Sequence, residues 1–328
     1  MRQMCVGENL RRHFVNWSSS AIEDTIVIAG APRSGTTWLL ELLRTLPEYK
    51  ALNEPLFLHN SPGARAAGFA WRTHITPGER NEGARRFFER SLSGRIAHRP
   101  LWHYTASSTI RCAAEHIRKR KLIVKFCRAG RLLHWMTQEF NLRGVVLIIR
   151  HPCAVIASQL AHGGWNDESF SSPSDGHSFQ VPKELQDKFG SVLASIKTKL
   201  DEMVAIWCLD YYIPLIHYAP QGYPWVLVPY ERLVTRRTEE VSRILNSLGA
   251  TATESISEQL NEASKSASES LEVRSPQQQL EKWKTQLSDA EIDRVLELVA
   301  AFEIDFYSRD TEPDYDRLNK MQLKSCIW

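Results

Sequence analysis

Short apolar runs alternate with longer, periodically apolar segments along most of this chain. A near-continuous run of β-branched and other apolar residues is typical of a strand buried on both faces of a parallel sheet. Apolar residues spaced three and four positions apart predict amphipathic helices. The predicted strands lie near residues 25–30, 49–53, 121–126, 144–150 and 225–229. Because strands alternate with helices, we expect an α/β fold with a central parallel sheet.

Two stretches interrupt this alternation. Residues 56–120 begin with several prolines and glycines, and residues 162–182 are rich in Gly, Ser, Pro and Asp without a period, which indicates a mobile loop or lid. Residues 189–218 have one continuous helical pattern, whose apolar stripe we expect to lie in the core. Ser288 and Glu291 have the spacing of a capping box before the last long helix. With no internal repeat or low-complexity segment, we interpret residues 1–328 as a single domain.

Composition limits the possible partners and the compartment. With 43% hydrophobic residues the chain can bury a sizeable core, and a net charge of +3 is too mild to indicate a nucleic-acid partner. The six cysteines are scattered without paired spacing, which favours a reducing compartment. No apolar run reaches the length of a membrane span, and the N-terminal segment lacks the apolar region of a signal peptide. We therefore expect a soluble, cytoplasmic protein with no stable membrane insertion.

The residues 25–43, "TIVIAGAPRSGTTWLLELL", almost form a nucleotide-binding P-loop between a strand and a helix. A P-loop requires lysine after its second glycine, whereas Gly35 is followed by Thr36 and Thr37. The loop keeps backbone amides at a helix N-terminus, which bind phosphate-like groups, and adds Arg33 as a cation. We expect it to hold one terminal phosphate-like group next to a bridging oxygen, without requiring Mg²⁺. The histidines of residues 56–120 also lack metal-site spacing, so we predict no metal.

A second anion-binding element lies in "RHPCAVIAS", where Arg150 ends a predicted buried strand and Ser158 lies two turns into the next helix. In an open parallel sheet, ligands bind outside the carboxyl ends of the strands, so Arg150 and the 25–43 loop can face one crevice. Arginine with a serine hydroxyl can hold a second phosphate through charge-assisted hydrogen bonds. The alternative is an ordinary strand-end ion pair for Arg150.

Together, "GAPRSGTTWL" and "R-H-P-x-x-x-x-x-S" resemble the two cofactor-binding signatures of sulfotransferases that use 3′-phosphoadenosine 5′-phosphosulfate (PAPS). The resemblance covers residues 24–60 and 121–160, with weaker similarity at 225–235 and 270–290. Two motifs in this order, about 115 residues apart, are far more specific than either alone. The resemblance implies a three-layer α/β sandwich with a P-loop-like phosphosulfate-binding loop, and transfer of a sulfuryl group from PAPS to a hydroxyl or amine.

The resemblance also implies roles for individual residues. Those implied to hold the 5′-phosphosulfate are Arg33, Ser34, Gly35, Thr36 and Thr37. Arg150 and Ser158 are implied to hold the 3′-phosphate, and Tyr230 in "VPYERL" to approach the adenine. "QLEKWKTQLS" resembles a late segment that folds over the nucleotide, so Lys282 or Lys284 is expected to reach a phosphate. Trp38 either contacts the adenine or packs in the core.

Sulfuryl transfer requires a base that faces the acceptor and a cation on the leaving-group side, and we expect Arg33 to be this catalytic cation. The general base differs between branches of this family. The cytosolic small-molecule branch uses a histidine two residues after a lysine, but here Lys125 is followed by Cys127 at that position. Glu54 in "NEPLFL" is similar to the glutamate-proline element of carbohydrate-type and bacterial members, where the glutamate is the base. We expect a partly dry crevice to raise the pKa of Glu54 toward neutrality. The alternative is a surface ion pair of Glu54 with Arg65 or Arg72.

The acceptor is predicted less sharply than the cofactor. Family members vary their acceptor sites in regions equivalent to residues 56–120 and 162–190. The aromatic residues there are Trp71, Phe87, Phe88, Trp102, Tyr104, Trp165 and Phe170. They suit a carbohydrate, a lipid or another small molecule equally well. Two alternatives to a sulfotransferase stay open: a P-loop nucleotide kinase or NTPase, which requires Mg²⁺, and a non-catalytic nucleotide-binding protein of the same fold.

Overall fold

The computed structural model describes residues 19–96, 118–163, 181–218, 224–251, 253–260 and 275–323. These residues form one five-stranded sheet with the order β2-β3-β1-β4-β5, in which every neighbouring pair is parallel. The strands are β1 (Ile26–Ala29), β2 (Tyr49–Asn53), β3 (Lys121–Phe126), β4 (Gly144–Ile149) and β5 (Trp225–Pro229). The prediction of an α/β fold with a central parallel sheet is confirmed.

Helices connect these strands in the described residues. They are α1 (Thr36–Leu43), α2 (Pro62–Ala66), α3 (Glu82–Leu92), α4 (Leu133–Glu139), α5 (Pro152–His162), α6 (Lys183–Lys188), α7 (Gly190–Ala194), α8 (Lys199–Tyr212), α9 (Tyr230–Thr235), α10 (Arg237–Ser247), α11 (Glu254–Gln259), α12 (Pro276–Glu281), α13 (Asp289–Ala301) and α14 (Tyr315–Leu323). A π-helical turn, Ile213–His217, extends α8, and a 3₁₀ turn, Lys282–Thr285, extends α12. None of the described helices is long and apolar enough to cross a bilayer.

Both faces of the sheet are covered, which explains the continuous apolar runs. All four residues of β1 are fully buried. Val27 and Ala29 face one apolar cluster, which includes α5, α8 and α13, whereas Ile26 and Ile28 face a second cluster, which includes α1 and α10. A strand with apolar neighbours on both sides has no polar face, so its sequence does not alternate. The layers are therefore helix, sheet, helix.

The pattern at 189–218 is not one helix, contrary to the sequence prediction. The structure has two helices here, α7 and α8, followed by the π-helical turn, and α8 begins at a capping box in which the Thr198 hydroxyl accepts from the Asp201 amide. The Asp201 carboxylate in turn accepts from the Thr198 amide, and this exchange favours a new helix start. The capping box predicted at Ser288 and Glu291 is present at the start of α13.

The parallel register aligns the carboxyl ends of the strands. Asn53 of β2 pairs with Lys125 of β3, and Ile149 of β4 pairs with Pro229 of β5. The residues that follow these strand ends therefore emerge at one edge of the sheet, where ligands bind in open α/β folds.

A buried charge cluster below this edge yields a stability prediction. Asp210 near the end of α8 pairs with both Arg72, at 3.0 Å, and Arg131, at 2.8 Å, and all three side chains are buried. Asp210→Ala leaves two guanidinium groups buried without this carboxylate, and we expect it to lower the free energy of unfolding by about 3 kcal/mol. Urea denaturation measures the change. As a control, Asp305→Ala removes an exposed pair with Arg317 and is expected to cost under about 1 kcal/mol. Equal losses would contradict the role of Asp210.

Candidate functional site

The loop after β1 is a tight turn that contains two glycines with positive φ angles. Gly30, Arg33 and Gly35 all have positive φ angles, 155°, 74° and 99°. A Cβ on Gly35 would lie 2.5 Å from the ring of Tyr230, so that position accepts only glycine without displacing the ring. Tyr211 of α8 fixes the base of the loop, because its hydroxyl accepts from the Ala31 amide at 2.9 Å and donates to the Ile148 carbonyl at 2.9 Å.

The two predicted anion-binding elements meet at Arg33. Its Nε donates to the Ser158 hydroxyl at 3.0 Å, and its carbonyl accepts from the Arg150 guanidinium at 2.8 Å. Burial and the nearby charge of Arg150 lower the pKa of Arg33. Arg33, Arg150 and Ser158 thus form one cationic corner. The Arg33 side chain turns toward the element predicted to hold the 3′-phosphate, a direction that the sequence does not indicate.

Tyr230 forms the wall beside this corner. The Arg150 guanidinium lies 4.4 Å from the centroid of the Tyr230 ring, and the Tyr230 hydroxyl accepts from the side-chain amide of Gln279 at 2.6 Å. Gln279 belongs to α12, so the late segment does pack onto the strand ends. In the 3₁₀ turn that follows, Trp283 stacks on His151 with ring centroids 4.6 Å apart. This part of the segment therefore reaches the site through Gln279 and Trp283.

Glu54 lies directly after β2, as predicted, and is 4% exposed. Its φ of 54° turns the carboxylate toward the residues that follow β3. Both of its carboxylate oxygens accept from the Cys127 amide at 3.1 Å, while Lys125 lies 3.3 Å away and Arg128 3.7 Å away. The alternative of a surface ion pair with Arg65 or Arg72 is therefore wrong, because Glu54 is buried and has other partners.

The expectation of a raised pKa for Glu54 is also wrong. Burial raises the pKa of this carboxyl, but Lys125, Arg128 and the Cys127 amide stabilise the charged form and lower it below its ordinary value of 4.5. Glu54 is therefore a carboxylate at neutral pH. The sequence predicts the burial of Glu54 but not its two cationic neighbours. Lys125 lies in β3 and Arg128 in the loop after it, and they reach Glu54 only because β3 lies next to β2.

Lys125 connects Glu54 with the loop at the start of α1. Its ammonium group donates to the Thr37 hydroxyl at 3.0 Å and pairs with Glu54 at 3.3 Å, and it is almost fully buried. Thr36 meets Cys127 through an Oγ1–Sγ contact of 3.3 Å, so this cysteine packs against the loop. Burial raises the pKa of the Cys127 thiol to about 12, which leaves it protonated. A thiol cannot replace the histidine of the small-molecule branch as a base at neutral pH.

Other predicted residues lie at varying distances from this arrangement. Ser34 is buried and its hydroxyl donates to the Ala31 carbonyl at 2.6 Å. Trp38 packs against the core cluster of α1, with the Arg237 guanidinium 5.7 Å from its ring centroid. Lys284 lies 5.5 Å from the ring of Trp283, and no hydrogen bond joins Lys282 to the loop among the described residues.

The predicted acceptor aromatics divide into core and undescribed positions. Phe87 and Phe88 of α3 are buried in the main apolar cluster. Trp71 is buried too, but it lies beside the site, 4.8 Å from the guanidinium of Arg128. The centroid of the Phe57 ring lies 4.9 Å from the same guanidinium, and the Phe57 and Trp71 rings contact each other with their centroids 5.6 Å apart. The remaining predicted residues, Trp102, Tyr104, Trp165 and Phe170, lie outside the described residues, as does most of the predicted lid.

Several residues of this arrangement were missed by sequence reasoning. Lys125 had a visible signal, because it occupies the lysine position of the small-molecule branch. Gln279 is the first residue of the late segment "QLEKWKTQLS", but that segment was expected to reach the nucleotide through a lysine. Arg128 and Tyr211 had no signal, since each meets its partner from an element distant in sequence. In the described part of the chain, no group of three or more His, Cys, Asp or Glu side chains is arranged to hold a metal ion.

The chain is similar to several solved structures, at low sequence identity. A solved sulfotransferase domain of the Synechococcus PCC 7002 olefin synthase shares 17% identity and a TM-score of 0.46, over 87% of this chain and 95% of that one. The sulfotransferase domain from the curacin biosynthetic pathway has 16% sequence identity and a TM-score of 0.44, and the match covers 84% of this chain and 96% of that one. Mouse sulfotransferase SULT7A1, complexed with PAP, has 15% sequence identity and a TM-score of 0.41, and the match covers 92% of this chain and 89% of that one. No curated protein matches the chain.

The family itself is decided by a sequence-family model. The model described as the sulfotransferase family matches residues 25–254, which is more than half of the 328 residues. The match includes the loop after β1, Glu54, Lys125, Arg150 and Tyr230. It confirms the resemblance carried by the two motifs: the chain belongs to the sulfotransferase family, whose reaction is sulfuryl transfer.

Proposed function

We propose that the protein transfers the sulfuryl group of PAPS to an acceptor hydroxyl or amine, with Glu54 as general base. The observation that carries the proposal is the position of Lys125, which joins Thr37 to Glu54. Thr37 occupies the P-loop position whose hydroxyl binds Mg²⁺ in NTPases. Here an ammonium group holds that hydroxyl, so the site has a built-in cation where an NTPase requires a metal.

The cationic corner fits the 3′-phosphate of PAPS. Arg33 and Arg150 bring two guanidinium groups together, and the buried Nε of Arg150 has no hydrogen-bond partner among the described residues. A buried donor without a partner is costly, and a phosphate oxygen would satisfy it. Ser158 adds a hydroxyl, and the ring of Tyr230 offers a flat surface for the adenine. The backbone amides at the start of α1, next to Thr36 and Thr37, would hold the 5′-phosphosulfate.

The chemistry follows from the positions of Glu54 and Lys125. The acceptor oxygen or nitrogen forms a bond to sulfur while the bond from sulfur to the bridging phosphosulfate oxygen breaks. Glu54 takes the acceptor proton, and Lys125 stabilises negative charge on the sulfuryl and leaving oxygens. The products are a sulfated acceptor and adenosine 3′,5′-bisphosphate.

The acceptor is proposed only as a carbohydrate, a lipid or another small molecule. Beside Glu54, the Arg128 guanidinium packs against the rings of Phe57 and Trp71, which also contact each other. This wall gives the acceptor an aromatic surface next to the base. A screen of cell extract with PAPS and purified protein, read by mass spectrometry, tests the proposal. We expect one compound class to gain the mass of a sulfo group. No transfer to any compound, with PAPS bound, would instead favour the non-catalytic alternative.

The lowered pKa of Glu54 predicts the low-pH side of the pH–rate profile. A base must be deprotonated, and a pKa below 4.5 keeps Glu54 deprotonated down to that pH. We therefore expect kcat/KM for the acceptor, measured at saturating PAPS, to show no loss from Glu54 protonation between about pH 5 and 7. The measurement is a pH profile with a constant-ionic-strength buffer series. An acid limb centred near pH 6 that shifts in Glu54→Asp would contradict the lowered pKa of Glu54.

A further inference from the structure

Glu231 is a buried carboxyl group that the proposed chemistry does not use. It follows Tyr230 at the start of α9 and is 1% exposed. One of its oxygens accepts from the His151 amide at 2.8 Å, and the other accepts from the Tyr307 hydroxyl at 3.3 Å. No ion pair joins Glu231 to a cation among the described residues. A buried carboxyl held by neutral donors is unusual and calls for a reason.

The two hydrogen bonds join the ends of neighbouring strands. His151 follows Arg150 at the end of β4, and Glu231 follows Tyr230 at the end of β5. The carboxyl group of Glu231 therefore fixes the spacing between the backbone that carries Arg150 and the backbone that carries Tyr230. Their side chains meet 4.4 Å apart in the corner proposed to hold the 3′-phosphate and adenine.

The segment after α13 contributes Tyr307 and Ser308 to this hydrogen-bonded group, and we call the group of Glu231, His151, Tyr307 and Ser308 the frame. Tyr307 donates to Glu231, and the neighbouring carbonyl of Ser308 bonds the Nε2 of His151 at 2.9 Å. The Nδ1 of His151 accepts from the Cys153 amide, so Nε2 carries the proton and the ring is neutral. Burial lowers the pKa of His151 to about 4, which keeps it neutral at physiological pH. The frame thus contains no buried cation.

We propose that Glu231 is a positioning residue of the co-substrate site, which sets the relative placement of Arg150 and Tyr230 and so the affinity for the 3′-phosphoadenosine part of PAPS. This inference rests on the proposed function. Glu231 contacts neither the sulfuryl group nor the acceptor in it. Its effect is therefore on nucleotide affinity, and acceptor KM is unaffected.

The protonation of Glu231 couples this frame to pH. Burial raises the pKa of Glu231 to about 7. The charged and titratable groups that face it are Arg150 after β4, Tyr307 after α13 and Tyr315 of α14. Above that pH a carboxylate adds negative charge beside Arg150 and opposes an incoming phosphate. Nucleotide binding therefore favours the protonated form, and the affinity falls as the pH rises through about 7.

Calorimetric titration with adenosine 3′,5′-bisphosphate tests the inference on the full chain. Glu231→Ala loses both bonds, and we expect about tenfold weaker binding. Glu231→Gln keeps an acceptor for the His151 amide, and we expect wild-type affinity at pH 6. Between pH 6 and 8 the wild type should weaken relative to Glu231→Gln by up to about tenfold, because the glutamine cannot ionise. Comparison with the glutamine variant cancels the titration of the nucleotide itself.

A matched control separates positioning from folding. Glu240 of α10 is another buried carboxylate, and it pairs with Arg243. Glu240→Ala should lower thermal stability yet leave nucleotide affinity unchanged. Wild-type affinity in Glu231→Ala would overturn the positioning role, and a constant ratio of wild-type to Glu231→Gln affinity across the pH series would overturn its coupling to pH. Either result leaves the proposed function intact. Absence of nucleotide binding by the wild type would overturn both.

Discussion

Replacement of Glu54 by glutamine is expected to reduce kcat by at least about 100-fold, the lower range for loss of a general base. Glutamine has nearly the same shape and can still accept from the Cys127 amide, but it cannot take the acceptor proton. The cationic corner of Arg33, Arg150 and Ser158 does not contact Glu54, so the affinity of the variant for adenosine 3′,5′-bisphosphate should stay within about threefold of the wild-type value. Single-turnover kinetics with saturating PAPS measures the chemical step.

Glu48 provides a control at the opposite end of the same strand. It directly precedes β2 and pairs with Lys121 at 2.7 Å, with most of its side chain exposed. Glu48→Gln removes the same charge and should leave kcat unchanged. If Glu54→Gln turned over at a rate close to that of the wild type while still binding nucleotide, Glu54 would not be the base. Thermal unfolding of each variant must accompany the kinetics, because Glu54 is a buried ion-pair partner.

Replacement of Arg150 by alanine is expected to weaken binding of adenosine 3′,5′-bisphosphate by about 100-fold, as the loss of charge-assisted hydrogen bonds to a phosphate implies. The variant also loses the hydrogen bond to the Arg33 carbonyl, which helps to hold a loop with a positive φ. Arg150→Lys should recover part of the affinity, since it restores the charge without the planar fork. Thermal stabilisation by the nucleotide gives a second readout.

The matched control is Arg143, immediately before the strand that Arg150 follows. Its guanidinium donates to the carbonyls of Leu248 and Gly249, both at 2.9 Å, at the other edge of the sheet. Arg143→Ala should lower stability and leave nucleotide affinity unchanged. Equal nucleotide affinity in wild type and Arg150→Ala would contradict the proposed 3′-phosphate site.

The sheet could be predicted from the sequence because its signals are local. The strands β1, β4 and β5 are buried apolar runs, and the loop after β1 has its glycines and its helix start within a few residues. The position of Glu54 at a strand end was predictable for the same reason, since Pro55 stops the ladder there. The alternation of strands and helices then limited the fold class.

The contacts within the site depended on strand order, which one sequence does not specify. Placing β3 between β1 and β2 brings Lys125 to both Thr37 and Glu54, and this reverses the expected direction of the Glu54 pKa. The turn of Arg33 toward Ser158 similarly requires α5 to pack beside the loop. The break of the 189–218 pattern was missed because its apolar spacing continues across the new helix start at Thr198, where hydrogen bonds decide the boundary.

The central claim is that two clustered arginines and a lysine make this a PAPS site rather than a nucleoside triphosphate site. Titration of the protein with adenosine 3′,5′-bisphosphate and with ADP, each with and without Mg²⁺, tests it most directly. These two nucleotides differ in whether the second phosphate is on the 3′ position. We predict at least about 100-fold tighter binding of the bisphosphate, without any requirement for Mg²⁺. Equal affinities, or tight ADP binding that depends on Mg²⁺, would contradict the claim.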